Sequence, residues 1–178
     1  QIAQEAENRY VGVNCGIMDQ FAVANGRKNH AILLRCDTLE HRLVPLDTGG
    51  CKLVITHTNK RRGLADTAYN ERRAQCEKAV AFLRTAFPDL KLLGELSPRQ
   101  LDDHARLIPD ATVLKRARHV IEENRRVLEA VKALEANDLA AFGRLMVDSH
   151  RSLQHLYEVT GPELDALVDA ALDVDGVL

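Results

Sequence analysis

The 178-residue sequence lacks the features that mark several classes of protein. It has no excess of positive charge: 24 lysines and arginines against 26 acidic residues leave a net charge of −2, which argues against a nucleic-acid partner. No apolar run approaches the length of a membrane span, and the first residues lack the basic start and apolar centre of a signal peptide. The sequence therefore predicts a globular protein without a membrane partner, long enough to bury one good core.

Paired metal-binding residues are also lacking. The cysteines lie at positions 15, 36, 51 and 76, with no C-x-x-C pair and no zinc spacing. The histidines form no i,i+4 pair, so a histidine metal site is not expected. Reduced thiols and a cytoplasmic location are the better interpretation of this cysteine pattern.

The first third of the chain reads as short helices followed by strands. Good helix formers fill residues 1–10, and a second short helix follows the turn at 11–16 and ends at Asn25-Gly26. Strands are predicted at 30–36, 40–46 and 51–57, the last as a covered strand because it is nearly continuously apolar. Turns at Asp37-Thr38 and 47–50 suggest antiparallel neighbours.

From residue 70 onward the apolar pattern is helical. Apolar stripes run through 76–87, 113–134 and 139–156, and Ser97-Pro98 has the chemistry of a helix start. A capping box is predicted over Thr160–Glu163, with Pro162 in the first turn. Strands first and helices afterwards predict the α+β class.

Two stretches carry polar chemistry that the residues alone do not resolve. In "GVNCGIMDQ", Gly12 and Gly16 flank a turn whose N–H groups could face a ligand oxygen, although a plain structural turn is the simpler reading. Asp19 follows at a predicted helix start, where the helix dipole favours the carboxylate. Such an Asp is usually a first-turn charge, but it also has the character that a general base needs.

The second stretch is "HTNKRRGLADTAYNERRAQC", residues 57–76. It places five cationic side chains around a single aromatic residue, Tyr69, directly after a predicted strand. A solvated loop leading into a charged helix start explains the pattern without any ligand. The functional alternative is a loop that offers a phenol and cations to a small polar ligand.

Both stretches, in this order, resemble the galactokinases of the GHMP small-molecule kinase superfamily. "AENRYVGVNCGIMDQFAVANGRKNHAILLRCDTLE" is similar to the central motif of that family, "HTNKRRGLADTAYNERRAQC" to a second motif, and "TGPELDALVDAAL" to a third segment. The resemblance covers essentially the whole chain. It implies transfer of a phosphoryl group from ATP, with Mg2+, to the C1 hydroxyl of galactose.

The resemblance also implies roles for individual residues. Asp19 matches the aspartate taken as the base near the sugar's C1 hydroxyl, and Gly16 matches a residue whose backbone lies against the sugar, with Asn14-Cys15 holding that turn. Tyr69 matches a tyrosine that hydrogen-bonds galactose, and Glu7 matches a carboxylate proposed to ligate magnesium. No residue of this chain is assigned to ATP itself.

Three family motifs are not among the 178 residues: an N-terminal sugar motif, a phosphate loop and a C-terminal glycine-rich motif. The chain is therefore expected to be an internal piece of a longer protein, inactive alone and prone to self-association through exposed apolar surface. The family fold implies that residues 1–48 belong to an S5-like N-terminal domain and residues 49–178 to a ferredoxin-like C-terminal domain. Two alternatives stay open: a kinase for N-acetylgalactosamine or arabinose, and a non-catalytic galactose sensor.

Overall fold

The computed structural model describes residues 2–12, 15–60 and 67–178. Its regular elements mix helices with a small sheet, which confirms the α+β class. In chain order they are α1 (Ile2–Ala6), α2 (Met18–Asn25), β1 (His30–Leu34), β2 (His41–Pro45), α3 (Thr67–Leu83), α4 (Pro98–His104), α5 (Ala111–Glu135), α6 (Leu139–Ser152) and α7 (Pro162–Leu172). Helices α1 and α6 each continue as one π-helical turn, over Glu7–Val11 and Leu153–Tyr157.

Strands β1 and β2 form the predicted antiparallel hairpin. His30 pairs with Pro45 at one end and Leu34 with His41 at the other. Val44 is only 1% exposed and packs against Val131 of α5. The hairpin is therefore fixed to the helical part of the chain by its apolar face.

The third predicted strand, 51–57, is wrong for this structure. The segment has no regular structure, and Leu53, Val54 and Ile55 are 75, 79 and 90% exposed. A strand needs a neighbour to satisfy its backbone N–H and C=O groups, and none of the described residues pairs with this segment. Its apolar side chains therefore face outward, although the sequence predicted that they would be covered.

The helices after residue 67 confirm the periodicity, and their starts show the expected capping. Ser97 forms a capping box with Gln100: its Oγ accepts the Gln100 N–H, and the Gln100 side chain accepts the Ser97 N–H at 2.9 Å. Asp110 accepts the N–H groups of Thr112 and Val113 at the start of α5. These hydrogen bonds, led by that from Val113, lower the pKa of Asp110.

The predicted capping box at Thr160–Glu163 is wrong. Gly161, with φ of 121°, takes the N-cap position of α7, and it has no side chain to accept a hydrogen bond. Pro162 is the first helical residue, so the helix begins one residue later than the box requires. The Glu163 carboxylate pairs instead with Lys60, at 2.5 Å.

Two apolar clusters build the core, and α5 contributes to both. Its first half supplies Val113, Ala117 and Ile121 to a cluster with α3 and α4. Its second half supplies Val131 and Leu134 to a cluster with the hairpin and α6. The predicted domain boundary between residues 48 and 49 stays a prediction. Among the described residues, no helix is both long and apolar enough to cross a membrane.

Candidate functional site

The turn that joins the first helix to α2 depends on a glycine. Gly12 has φ of 79°, in the left-handed region, and its N–H donates to the Glu7 carbonyl at 3.1 Å. Glycine adopts this conformation without the steric cost that a Cβ would bring. The chain therefore leaves the helix abruptly at residue 12, as the sequence predicts for a tight turn.

Side chains of the first helix hold the far end of this turn. Gln4 Nε2 donates to the carbonyl of Cys15 at 3.2 Å, and the Cys15 thiol donates to Asn8 Oδ1 at 3.4 Å. Cys15 therefore contributes to holding the turn, as the family resemblance implied. The other residue in that prediction, Asn14, lies outside the described part of the chain.

Asp19 lies in the first turn of α2, at the predicted helix start. Its side chain is exposed, while Ile17, two residues earlier, is 8% exposed and anchors the start of the helix in the protein. Asp19 is thus an accessible carboxyl group of the kind that can take a hydrogen bond or a proton from a hydroxyl group.

Gly16 and Tyr69 meet in the structure. The Gly16 N–H donates to the Tyr69 hydroxyl at 3.2 Å, although 53 residues separate them in sequence. Tyr69 lies in the first turn of α3 and is 48% exposed. The resemblance assigned Gly16 and Tyr69 to one sugar site, and the structure places them within hydrogen-bond distance of each other. Gly16 is three residues before Asp19 in the sequence.

Glu7 lies in the π-helical turn Glu7–Val11 and is partly buried. Within the described ranges, no group of three or more histidine, cysteine or acidic side chains could hold a metal ion. A single carboxylate is compatible with magnesium bound beside nucleotide phosphates, because such ions take one or two protein carboxylates and fill the rest of their shell with phosphate and water oxygens.

An open cleft lies between the first helix and α3, beside the Gly12 turn. It has a volume of about 310 Å³ and is lined by Asn8, Gly12, Asn70, Arg73, Ala74 and Glu77. The lining is mostly polar, with an ion pair between Arg73 and Glu77 at 3.0 Å. Amide and guanidinium donors of this kind suit a ligand rich in hydroxyl or phosphate oxygens.

Sequence reasoning missed the residues that support this site. Gln4 and Asn8 are four residues apart, so they share the helix face that holds the turn, and that spacing was a readable signal. Arg116 of α5, which donates to Gln75 of α3 at 3.1 Å, was also missed, although a charged residue within the apolar stripe of α5 is a signal of a buried polar partner.

Comparison with known proteins gives consistent matches. The family model for the C-terminal part of GHMP kinases matches residues 130–178. Over all 178 residues, the chain is 54% identical to a galactokinase of Streptococcus mutans, 52% to one of Clostridium beijerinckii and 47% to one of Bacillus subtilis, covering 45, 46 and 45% of those proteins.

A solved structure agrees with these matches. The crystal structure of Lactococcus lactis galactokinase complexed with galactose superimposes on the chain with a TM-score of 0.94 and 45% identity, over 99% of this chain and 45% of that one. The chain thus spans a little under half the length of the relatives it matches. High identity over the whole chain, the family model and the shared fold agree with one another: over its full length the chain is similar to part of the galactokinases, and its residues 130–178 match the C-terminal part of GHMP kinases.

Proposed function

We propose that the protein of which this chain forms part transfers the γ-phosphoryl group of ATP to the C1 hydroxyl of α-D-galactose, giving galactose 1-phosphate. The observation that carries the proposal is the hydrogen bond between the Gly16 N–H and the Tyr69 hydroxyl. Gly16 is three residues before Asp19 in the sequence. Relatives about half identical in sequence are named galactokinases, and one solved structure holds galactose.

In this proposal, each site residue has one role. The Gly16 backbone and the Tyr69 hydroxyl contact the sugar and orient it. The exposed Asp19 carboxylate receives the proton of the C1 hydroxyl, or orients that hydroxyl, while the oxygen of the C1 hydroxyl forms its bond to the γ-phosphorus. The bond from phosphorus to the β,γ-bridging oxygen breaks, and ADP leaves. Positioning and charge stabilisation account for most of the rate in such transfers.

Fewer residues of this chain are assigned to the nucleotide and its metal than to the sugar. Glu7 is the one residue proposed to ligate Mg2+, in keeping with the sparse carboxylate supply of magnesium–nucleotide sites. Magnesium, when bound, neutralises charge on the β- and γ-phosphate oxygens. We propose a cytoplasmic location, consistent with the unpaired cysteines at positions 15, 36, 51 and 76.

The test uses a hybrid in which residues 1–178 replace the matching segment of the Lactococcus lactis galactokinase. We expect galactose-dependent release of ADP by the hybrid and none by the isolated chain. Asp19→Asn should lower kcat by about 10²–10⁴-fold, the contribution of a positioned general base. Asp103→Asn, on the exposed surface of α4, is the matched control and should leave kcat unchanged.

Two results would contradict the proposal. A folded hybrid that binds galactose and ATP without turnover would favour the sensor alternative. A hybrid that turns over N-acetylgalactosamine or arabinose faster than galactose would favour a sibling kinase. Folding of each variant is checked by its thermal transition, so that loss of activity is not confused with loss of structure.

A further inference from the structure

The beginning of α3, which presents Tyr69, is not held by the apolar core. The first fully buried residue of this helix among the described side chains is Ala79, ten residues after Tyr69. Ten residues of α-helix span about 15 Å. Over that distance the partly buried side chains are Arg72, Gln75 and Cys76. Cys76 packs against the apolar cluster, so the two helical turns before it, which carry Tyr69, depend on the polar contacts of Arg72 and Gln75.

Arg72 makes the first of these contacts. Its Nε donates to the carbonyl of Tyr157 at 2.6 Å, and its Nη2 donates to the carbonyl of Glu158 at 3.2 Å. These carbonyls belong to the end of the π-helical turn after α6, where Glu158 has φ of 56°. Carbonyls at a helix end have no partner within the helix, and the guanidinium supplies one.

Arg116 of α5 contacts the same segment of chain from the other side. Together, Arg72, Gln75, Arg116 and the residues Leu156–Glu158 form what is called the junction below. The Arg116 side chain is 2% exposed, and it donates to the carbonyl of Leu156 at 2.5 Å, to the Glu158 carboxylate at 2.6 Å and to Gln75 Oε1 at 3.1 Å. Gln75 Oε1 also accepts from Arg72 at 3.2 Å, so one amide oxygen joins the two guanidinium groups. The Arg116 hydrogen bond lowers the pKa of Glu158, which keeps the carboxylate charged.

Tyr69 and Arg72 are three residues apart and therefore lie on the same face of α3. A guanidinium that fixes the helix at Arg72 thus fixes the direction of the Tyr69 side chain one turn earlier. We propose that Arg72 and Arg116 are positioning residues that hold the Tyr69 hydroxyl at Gly16, and so set the affinity for the sugar. The assignment of Tyr69 as a sugar contact rests on the proposed function; the positioning of Tyr69 does not.

The first experiment measures hydrogen exchange in the 178-residue chain and needs no kinase activity. Arg72→Gln should speed exchange of the amides of 71–76 by ~10-fold or more while leaving those of α5 within ~2-fold, because the opening is local. Arg118→Gln is the matched control: it removes an arginine of α5 that pairs with Asp102 at 2.7 Å and with Glu122 at 3.4 Å. Equal acceleration in 71–76 and α5, or equal effects of Arg72→Gln and Arg118→Gln, would overturn the proposal.

Arg116→Gln is the second variant and should reproduce the local effect on 71–76. Removing one partner of a buried, hydrogen-bonded arginine is often strongly destabilising. If Arg116→Gln does not fold, the exchange result for Arg72→Gln decides, because the Arg72 side chain lies at the edge of the junction and is 12% exposed.

The second experiment measures kinetics in the hybrid described above. Arg72→Gln should raise KM for galactose by ~10-fold with KM for ATP unchanged, whereas a merely structural effect would lower the active fraction and leave KM alone. In a Tyr69→Phe background, which lacks the hydroxyl, Arg72→Gln should change KM by less than ~2-fold, because coupled residues are not additive. A full effect of Arg72→Gln in that background would overturn the proposal.

The two proposals fail in different ways. If the unsubstituted hybrid shows no galactose-dependent turnover, the proposed function is wrong, and the exchange experiment alone decides whether the junction positions Tyr69. If turnover is present and Arg72→Gln leaves both exchange and KM unchanged, the positioning proposal is wrong and the proposed function stands.

Discussion

Burial changes the acid–base chemistry of His119. The residue is 5% exposed, and its Nδ1 lies 2.8 Å from the Ser152 hydroxyl oxygen. The centroid of its ring lies 4.4 Å from the centroid of the Tyr157 ring. Burial lowers the pKa of His119 to about 4, and the nearby guanidinium groups of Arg126 and Arg116 act in the same direction, while Glu123 acts against them. The folded protein therefore holds this histidine neutral.

This neutral histidine predicts a loss of stability in mild acid. The unfolded chain takes up a proton at this histidine near its ordinary pKa of 6.5, whereas the folded chain does so only near about 4. The free energy of unfolding should therefore fall as the pH drops from about 6.5 to about 4, by up to about 3 kcal/mol, and level off below that.

Urea unfolding of the chain and of His119→Gln, measured from pH 7 to pH 4, checks this expectation. The difference in unfolding free energy between the two proteins should shrink toward low pH, because glutamine does not titrate and contributions from the other groups cancel in the difference. A difference that stays constant with pH would contradict it.

The Gly16–Tyr69 contact shows what sequence could and could not give at the residue scale. The family resemblance singled out both residues, and the glycine pattern predicted the tight turn. The contact between them could not be predicted, because it joins a backbone N–H to a side-chain hydroxyl across 53 residues and no local period reports such a pair. The assigned roles of Asp19 and Glu7 stay predictions.

At the scale of elements, α4 offers a direct test of helix capping. Ser97→Ala removes the hydroxyl that accepts the Gln100 N–H, and should lower the free energy of unfolding by about 1 kcal/mol. Arg99→Ala, in the same turn and with a side chain 92% exposed, should change it by less than about 0.5 kcal/mol. Urea unfolding measures both values, and equal losses would show that the cap contributes nothing.

Elements with a local signal were predictable. The long helices follow from apolar stripes at helical spacing, and the hairpin follows from two apolar runs joined by a short polar connection. The segment 51–57 has the same apolar character as β1, yet it has no regular structure and is exposed. Whether such a run becomes a strand depends on a neighbour far away in sequence, and that information is absent from the run itself.

At the scale of the whole molecule, the exposed segment around Leu53–Ile55 predicts self-association. None of the described residues pairs with it as a strand, and its side chains are apolar, a combination that favours pairing with another chain. Ile55→Lys should weaken self-association by ~10-fold or more, because a lysine on such a segment opposes strand pairing.

Sedimentation velocity over a range of concentrations measures this effect. Val23→Lys is the matched control, since Val23 is an equally apolar residue that is 89% exposed on a different element, α2. A chain that stays monomeric without any substitution would show the prediction to be wrong, and equal effects of the two lysines would show that the segment is not the contact surface.

Helix α5 has a consequence that reaches across the molecule. Its 25 residues span about 37 Å, with one apolar cluster on the first half and the other on the second. Both clusters lose their packing if this helix unfolds, so a substitution that destabilises one cluster should also destabilise the other. Cooperativity between the hairpin and the helices that follow it therefore arises from a single shared element, and heat should unfold both in one transition.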